Sequence, residues 1–251
     1  MASRIKQSVS RWCYNKIPAP EFYAACKAMG ILGIDLVKPE EWPLLKELGL
    51  VGTCTPSHSL TEGLNKVANH ELCLRQLRES IEATAAAGFP NVICFPGNRN
   101  GISDEEGADN CVAALKQVAG LAEQKKVTIV MELLNSKVNH KDYQADRTAW
   151  AVEVCKRVGS PNVKVLYDIY HMQIMEGDLI RTIKENIEFI GHFHTGGNPG
   201  RHELDDTQEI YYPAVMRAIA ETGYTGWVGH EFVPTRDPLT SLREAYVLCD
   251  I

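Results

Sequence analysis

The chain has 251 residues, with 26 basic against 32 acidic side chains and a formal charge of −6. Its 45% hydrophobic and 23% charged content belongs to a globular protein long enough for one large core, and excludes disorder, collagen-like repeats and coiled coil. An acidic balance with no Lys/Arg run argues against a nucleic-acid partner.

No apolar stretch approaches the roughly 20 residues that span a bilayer, and the opening residues lack a signal-peptide core. A membrane association is therefore not expected. Eight cysteines are scattered without a CxxC pair, the pattern of reduced, mostly buried thiols in a cytoplasmic protein.

In chain order, β-rich runs begin at 5–10, 33–37, 50–54, 91–95, 127–132, 163–168, 189–194 and 226–231. Helical patterns lie between them at 19–29, 40–48, 68–87, 105–125, 145–158, 176–187, 210–222 and 238–248. Asp104 is placed to cap the helix that begins Glu105-Glu106, and Gly30, Gly88, Gly159 and Gly223 fall where helices should stop. Eight strand–helix units at about 31 residues each predict a single-domain (β/α)8 TIM barrel over residues 1–251. An open doubly wound sheet would usually carry a glycine-rich phosphate loop after its first strand, and Trp12-Cys13-Tyr14-Asn15 offers none.

Chemistry on such a barrel belongs at the C-terminal ends of the strands. The fifth strand, Val127-Thr-Ile-Val-Met-Glu132, ends on a carboxylate. The sixth, Val163-Lys-Val-Leu-Tyr-Asp168, is followed by Ile-Tyr-His171. The seventh reads Phe189-Ile-Gly-His-Phe-His194 and the eighth ends Trp227-Val-Gly-His-Glu231. Alone, each acid would pass for a cap or a solvated loop charge, and His192 for a hydrogen-bonded core histidine. Together, three carboxylates converging on one mouth repel one another unless a cation neutralises them.

Glu132, Asp168, His194 and Glu231 therefore form a ligand set for a divalent ion. Mostly oxygen donors with one imidazole favour Mn²⁺, Mg²⁺ or Co²⁺ over a thiolate-preferring metal. His171, three residues past Asp168, either touches a substrate held there or is a loop histidine in water. Arg201, after Asn198-Pro-Gly, either holds a substrate carboxylate or hydroxyl or is a surface arginine. Asn135 either bonds a ligand carboxylate or folds its own turn. Trp12 and His58 fall at the mouth as pocket walls, and Phe95-Pro-Gly-Asn-Arg99 reads as a turn.

A cation that chelates a carbonyl and the neighbouring hydroxyl acidifies the proton between them by stabilising the enediolate. Glu132 and Glu231, separated around the ring by the sixth and seventh strands, are placed to remove and return protons. Return to the adjacent carbon gives an aldose–ketose isomerase; return to the same carbon gives an epimerase. An apurinic endonuclease would need more metal ligands and a basic face, and a non-catalytic sugar- or metal-binding protein would need no pair of opposed glutamates.

Tyr167-Asp-Ile-Tyr-His-Met-Gln173, Met131-Glu-Leu-Leu-Asn135, Gly191-His-Phe-His194, Asn198-Pro-Gly-Arg201, Gln208-Glu-Ile-Tyr211 and Tyr224-Thr-Gly-Trp-Val-Gly-His-Glu231 resemble the hydroxypyruvate isomerases. These belong to the xylose-isomerase-like barrel superfamily, which also holds the ketose 3-epimerases. The resemblance follows nearly the whole chain in element order, with its specific motifs in the last 120 residues or so. It implies Glu132, Asp168, His194 and Glu231 as metal ligands, Glu132 and Glu231 as the acid–base pair, and His171 and Arg201 as substrate contacts.

The substrate class it implies is a small hydroxy-keto acid or sugar, and the reaction the interconversion of hydroxypyruvate and tartronate semialdehyde. The alternatives within the same chemistry are a ketose 3-epimerase and a sugar or tetronate isomerase. Barrels of this kind often form homo-oligomers. Two departures bear on the substrate. Hydroxypyruvate isomerases often carry Gln at the third ligand position, where this chain has His194, as the epimerases do. The family's Gly-Glu-Pro-Gly-Thr-Gly stretch is replaced by His202-Glu-Leu-Asp-Asp-Thr-Gln208.

Overall fold

A computed structural model describes residues 5–251. Eight parallel strands alternate with helices, as short β-rich runs linked by long amphipathic segments require. The strands are β1 (Lys6–Ser10), β2 (Gly33–Asp35), β3 (Val51–Cys54), β4 (Asn91–Cys94), β5 (Thr128–Glu132), β6 (Val163–Asp168), β7 (Ile190–Thr195) and β8 (Trp227–His230). The helices are α1 (Ala19–Met29), α2 (Trp42–Leu48), α3 (His70–Ala87), α4 (Asp104–Lys125), α5 (Thr148–Val158), α6 (Ile169–Met175), α7 (Leu179–Asn186), α8 (Tyr212–Glu221) and α9 (Pro238–Cys249). No helix among the described residues is long and apolar enough to cross a membrane.

Hydrogen bonding runs in the order β3-β2-β1-β8-β7-β6-β5-β4, so the first and last strands in sequence are neighbours and the ring is nearly closed. The remaining seam lies between β3 and β4. One parallel bridge, Thr55 to Val92, crosses it. The Thr55 amide donates to Asn91 O (2.9 Å), the Ile93 amide donates to Thr55 O (3.0 Å), and Asn91 Nδ2 donates to Thr53 O at 2.8 Å. A side chain thus supplies a bond that a longer ladder would have made from backbone.

The apolar core divides as a barrel demands. One large cluster seats α3–α9 on the outside of β4–β8, and a second seats α1 and α2 on the first strands. Between them Cys54, Ile93, Val130 and Leu166, one from each of β3 to β6, pack as a separate small group, a layer of the kind that fills a barrel interior. All eight cysteines are free thiols, and all but Cys13 are buried.

Several boundaries differ from the sequence reading. Ser103, not Asp104, caps α4: its side chain accepts from the Glu106 amide at 3.1 Å, and Asp104 is the first helical residue, in an acidic first turn that suits the helix dipole. The helix expected at 176–187 is α7 alone. A further helix, α6, follows β6 without a loop because the Asp168 carboxylate caps it, accepting from the His171 amide at 3.0 Å.

The seam supplies a stability prediction. Asn91→Ala leaves the buried Thr53 carbonyl unpaired and should cost about 1–3 kcal/mol in denaturant unfolding. Unfolding at the wild-type midpoint would show that the side-chain bond contributes nothing to closing the ring.

Candidate metal centre

Four successive strands deliver one side chain each to the same space. Glu132 closes β5, Asp168 closes β6, His194 lies one residue from the end of β7, and Glu231 follows β8. All four are buried, and one ligand atom from each lies within 4.8 Å of all the others. The sequence reading expected this gathering, because in-register parallel strands bring their ends to a common height. Asp168 pairs with His194 across β6 and β7, and His194 with Gly229 across β7 and β8.

His194 Nδ1 is buried 3.0 Å from Glu231 Oε2 and 3.5 Å from Glu132 Oε1, without hydrogen-bond geometry to either. Its other nitrogen, Nε2, lies 3.3 Å from Asp35 Oδ2. Three carboxylates and an imidazole nitrogen without a partner are a donor set that fits a hard or borderline divalent cation.

The guanidinium of Arg201 also holds this charge. Its Nη2 donates to Asp168 Oδ2 at 2.8 Å and to Glu231 Oε2, its Nε donates to the Glu231 carbonyl at 3.0 Å, and its Nη1 meets His171 Nε2. Arg201 sits at φ 59°, a left-handed conformation uncommon outside glycine. Its backbone is pinned there, the amide donating to Gly197 O (2.8 Å) and the carbonyl accepting from the Val233 amide (2.8 Å).

The two glutamates are held differently. Burial raises the Glu132 carboxyl, and the charge of Glu231 adds to it, bringing it to about 7. Burial would raise Glu231 too, but His194 and Arg201 hold it well below the usual carboxylate range. Glu231 also accepts from Ser10 Oγ (3.0 Å) and Trp12 Nε1 (2.6 Å). Burial opposes charge on His194, yet Glu231 and Asp35 keep its value well above that of a free imidazole. Divergent environments around two carboxyls are what an acid–base pair requires.

The remaining candidates fall around this centre. His171, in the first turn of α6, is held neutral by burial and by Arg201. Its Nδ1 accepts from the Asn135 amide at 3.1 Å. Asn135 folds its own turn as well, its Oδ1 accepting from the amides of Val138 (3.0 Å) and Asn139 (2.8 Å). His58 spends both nitrogens on local backbone, at Ser59 O and the Phe95 amide, which makes it a wall. His192 is a hydrogen-bonded core histidine, 3.0 Å from Asp35 Oδ2.

Three participants went unread in the sequence: Ser10 and Trp12 as bonding partners of Glu231, and Asp35 behind His194. Asp35 carried the same signal as the assigned acids, a carboxylate ending a strand. It was obscured because the second strand was expected to run on to residue 37.

A family model described as Xylose isomerase-like TIM barrel matches residues 38–246. The chain belongs to that family. It is 32% identical over 168 residues to the hydroxypyruvate isomerase of Escherichia coli, a match covering 65% of this chain and 63% of that protein. It is 38% identical over 116 residues to the 2-oxo-tetronate isomerase of Cupriavidus necator, covering 46% and 44%. Among solved structures, one titled AP endonuclease, family 2, from Brucella melitensis superposes with a TM-score of 0.85 at 23% identity, covering 95% of this chain and 97% of that one. At that identity the likeness establishes the fold.

The altered loop 202–208 directly follows Arg201 and is fastened by Glu203. That buried carboxylate accepts from Thr235 N (2.8 Å), Thr235 Oγ1 (2.9 Å), Arg236 N (3.2 Å) and Ser241 Oγ (2.9 Å). Burial works against its charge, but its own backbone amide, with the Thr235 and Ser241 donors, brings its value down to about 2 from 4.5. A carboxyl lowered by folding stabilises the fold above its unfolded value, and the contribution is lost as pH falls through the folded value. Wild type should therefore exceed Glu203→Gln in stability by about 2 kcal/mol near neutral pH. The gap should shrink as the pH is lowered from about 4.5 towards 2. Denaturant unfolding at several pH values measures it, and a gap independent of pH would contradict the assignment.

Proposed function

We propose that this protein is a divalent-cation-dependent isomerase of small hydroxy-keto acids that interconverts hydroxypyruvate and tartronate semialdehyde. The observation that carries the reading is the pair of buried glutamates on β5 and after β8, with Asp168 and His194 between them. Relatives named for hydroxypyruvate and for 2-oxo-tetronate support a short 2-keto acid as substrate. A divalent cation (Mn²⁺, Mg²⁺ or Co²⁺) in the set Glu132, Asp168, His194 and Glu231 would supply the positive charge that acidifies a C–H bond between a carbonyl and a hydroxyl.

The proton chemistry belongs to the chain. Glu231, kept ionised by Arg201, Ser10, Trp12 and His194, takes the proton from C3 of hydroxypyruvate. Glu132, whose carboxyl is raised by burial to about 7, returns one to C2. The hydroxyl proton passes between the two substrate oxygens, within reach of the neutral His171. Exchange with solvent then restores both glutamates. Arg201 supplies positive charge for the substrate carboxylate, which must share it with Asp168 and Glu231. Trp12, 42% exposed and bonded to Glu231, covers the base on the solvent side.

The four-carbon 2-oxo-tetronate is the competing substrate, favoured by the 38% identity of the Cupriavidus relative. Proton NMR of the protein with Mg²⁺ and each keto acid in D₂O compares them. Product with deuterium at carbon is expected from hydroxypyruvate. Glu132→Gln and Glu231→Gln should each lower turnover by about 10²–10⁴-fold while a keto acid still binds. Deuterium exchange surviving in both variants at the wild-type rate would overturn the acid–base assignment.

A further inference from the structure

Asp35, at the end of β2, is a fully buried carboxylate on which four strands converge. Its Oδ2 accepts from Ser8 Oγ of β1 at 3.0 Å and lies 3.0 Å from His192 Nε2 and 3.3 Å from His194 Nε2, both on β7. Its Oδ1 accepts from Thr53 Oγ1 of β3. Barrel interiors are usually filled by Val, Ile and Leu, and a buried carboxylate costs several kcal/mol of desolvation. A filler does not account for it.

Strand β8 makes room for the same group. A Cβ on Gly229 would stand 2.1 Å from Asp35 Oδ2 and 2.9 Å from His194 Cδ2, so only glycine lets the carboxylate reach the imidazole. An ionised carboxylate can only accept, so His194 Nε2 must carry the hydrogen. The ring so held turns its Nδ1 towards Glu231 and Glu132, at 3.0 and 3.5 Å.

We propose that Asp35 is a positioning residue for the cation site: by accepting from His194 Nε2–H it sets the tautomer and plane of that ring, and with them the affinity for a divalent cation. This rests on the assignment of His194 as a ligand. Carboxylates behind metal-binding histidines commonly change metal affinity by about 10–100-fold when removed. The centre thus draws on β1, β2 and β3 as well as on the four strands that carry the ligand set.

The test is calorimetric titration of metal-stripped protein with Mn²⁺, with folding checked by circular dichroism. Asp35→Asn keeps the shape and loses the charge, and should weaken Mn²⁺ binding about 10–100-fold. Gly229→Ala would press on both the Asp35 carboxylate and the His194 ring, and should weaken binding at least as much. Ser8→Ala removes another bond to the same oxygen without touching His194, and should stay within about threefold of wild type if the effect runs through the imidazole. Nitrogen-15 NMR of wild type loaded with diamagnetic Mg²⁺ should show the His194 proton on Nε2.

Folded Asp35→Asn that binds Mn²⁺ as wild type does, or a His194 proton on Nδ1 in the loaded protein, would overturn the positioning role alone. If Asp35→Asn does not fold, the NMR signal decides the matter. Wild-type Mn²⁺ affinity in His194→Ala would overturn the ligand assignment, and the role of Asp35 with it.

Discussion

Glu132, Asp168 and Glu231 bring three carboxylates into one buried space, and a fourth, Asp35, lies just behind them. Like charges this close cannot all stay ionised away from water without compensation. The surrounding structure supplies it. Arg201 is held in a left-handed backbone conformation so that its guanidinium meets Asp168 and Glu231. His194 stands between Asp35 and two glutamates, and Ser10 and Trp12 donate to Glu231. A divalent cation would complete the balance and displace the proton that these acids otherwise favour on His194.

The asymmetry around the glutamates follows from which compensations reach each one. Glu231 collects most of the donors, while at Glu132 burial and the charge of Glu231 outweigh the pull of His194. In the proposed reaction, this difference suits one carboxyl to take a proton and the other to give one. The loop after β7 matters for the same reason. It carries Arg201, and Glu203 ties it to the segment between β8 and α9 through Thr235, Arg236 and Ser241.

The barrel and its acidic mouth were legible because both depend on period and position. Alternating strand and helix patterns imply parallel strands, and parallel strands in register bring Glu132, Asp168, His194 and Glu231 to one end. What could not be read were side-chain bonds across the ring. Trp12 to Glu231 joins residues at opposite ends of the chain, and Asp35 to His194 spans β2 and β7; neither leaves a local pattern. Helix α6 was missed because its seven residues are too few for a clear period, and its cap, Asp168, had already been read as a ligand. Ser103 and Asp104 are both good capping residues one position apart, and only backbone geometry separates them.

The central claim is that one divalent cation binds among the three carboxylates and His194. Anomalous diffraction from crystals grown with Mn²⁺ tests it most directly. The account predicts one anomalous peak within bonding distance of Glu132, Asp168, Glu231 and His194 Nδ1. A peak elsewhere, or none with the Arg201 contacts intact at saturating Mn²⁺, would contradict it.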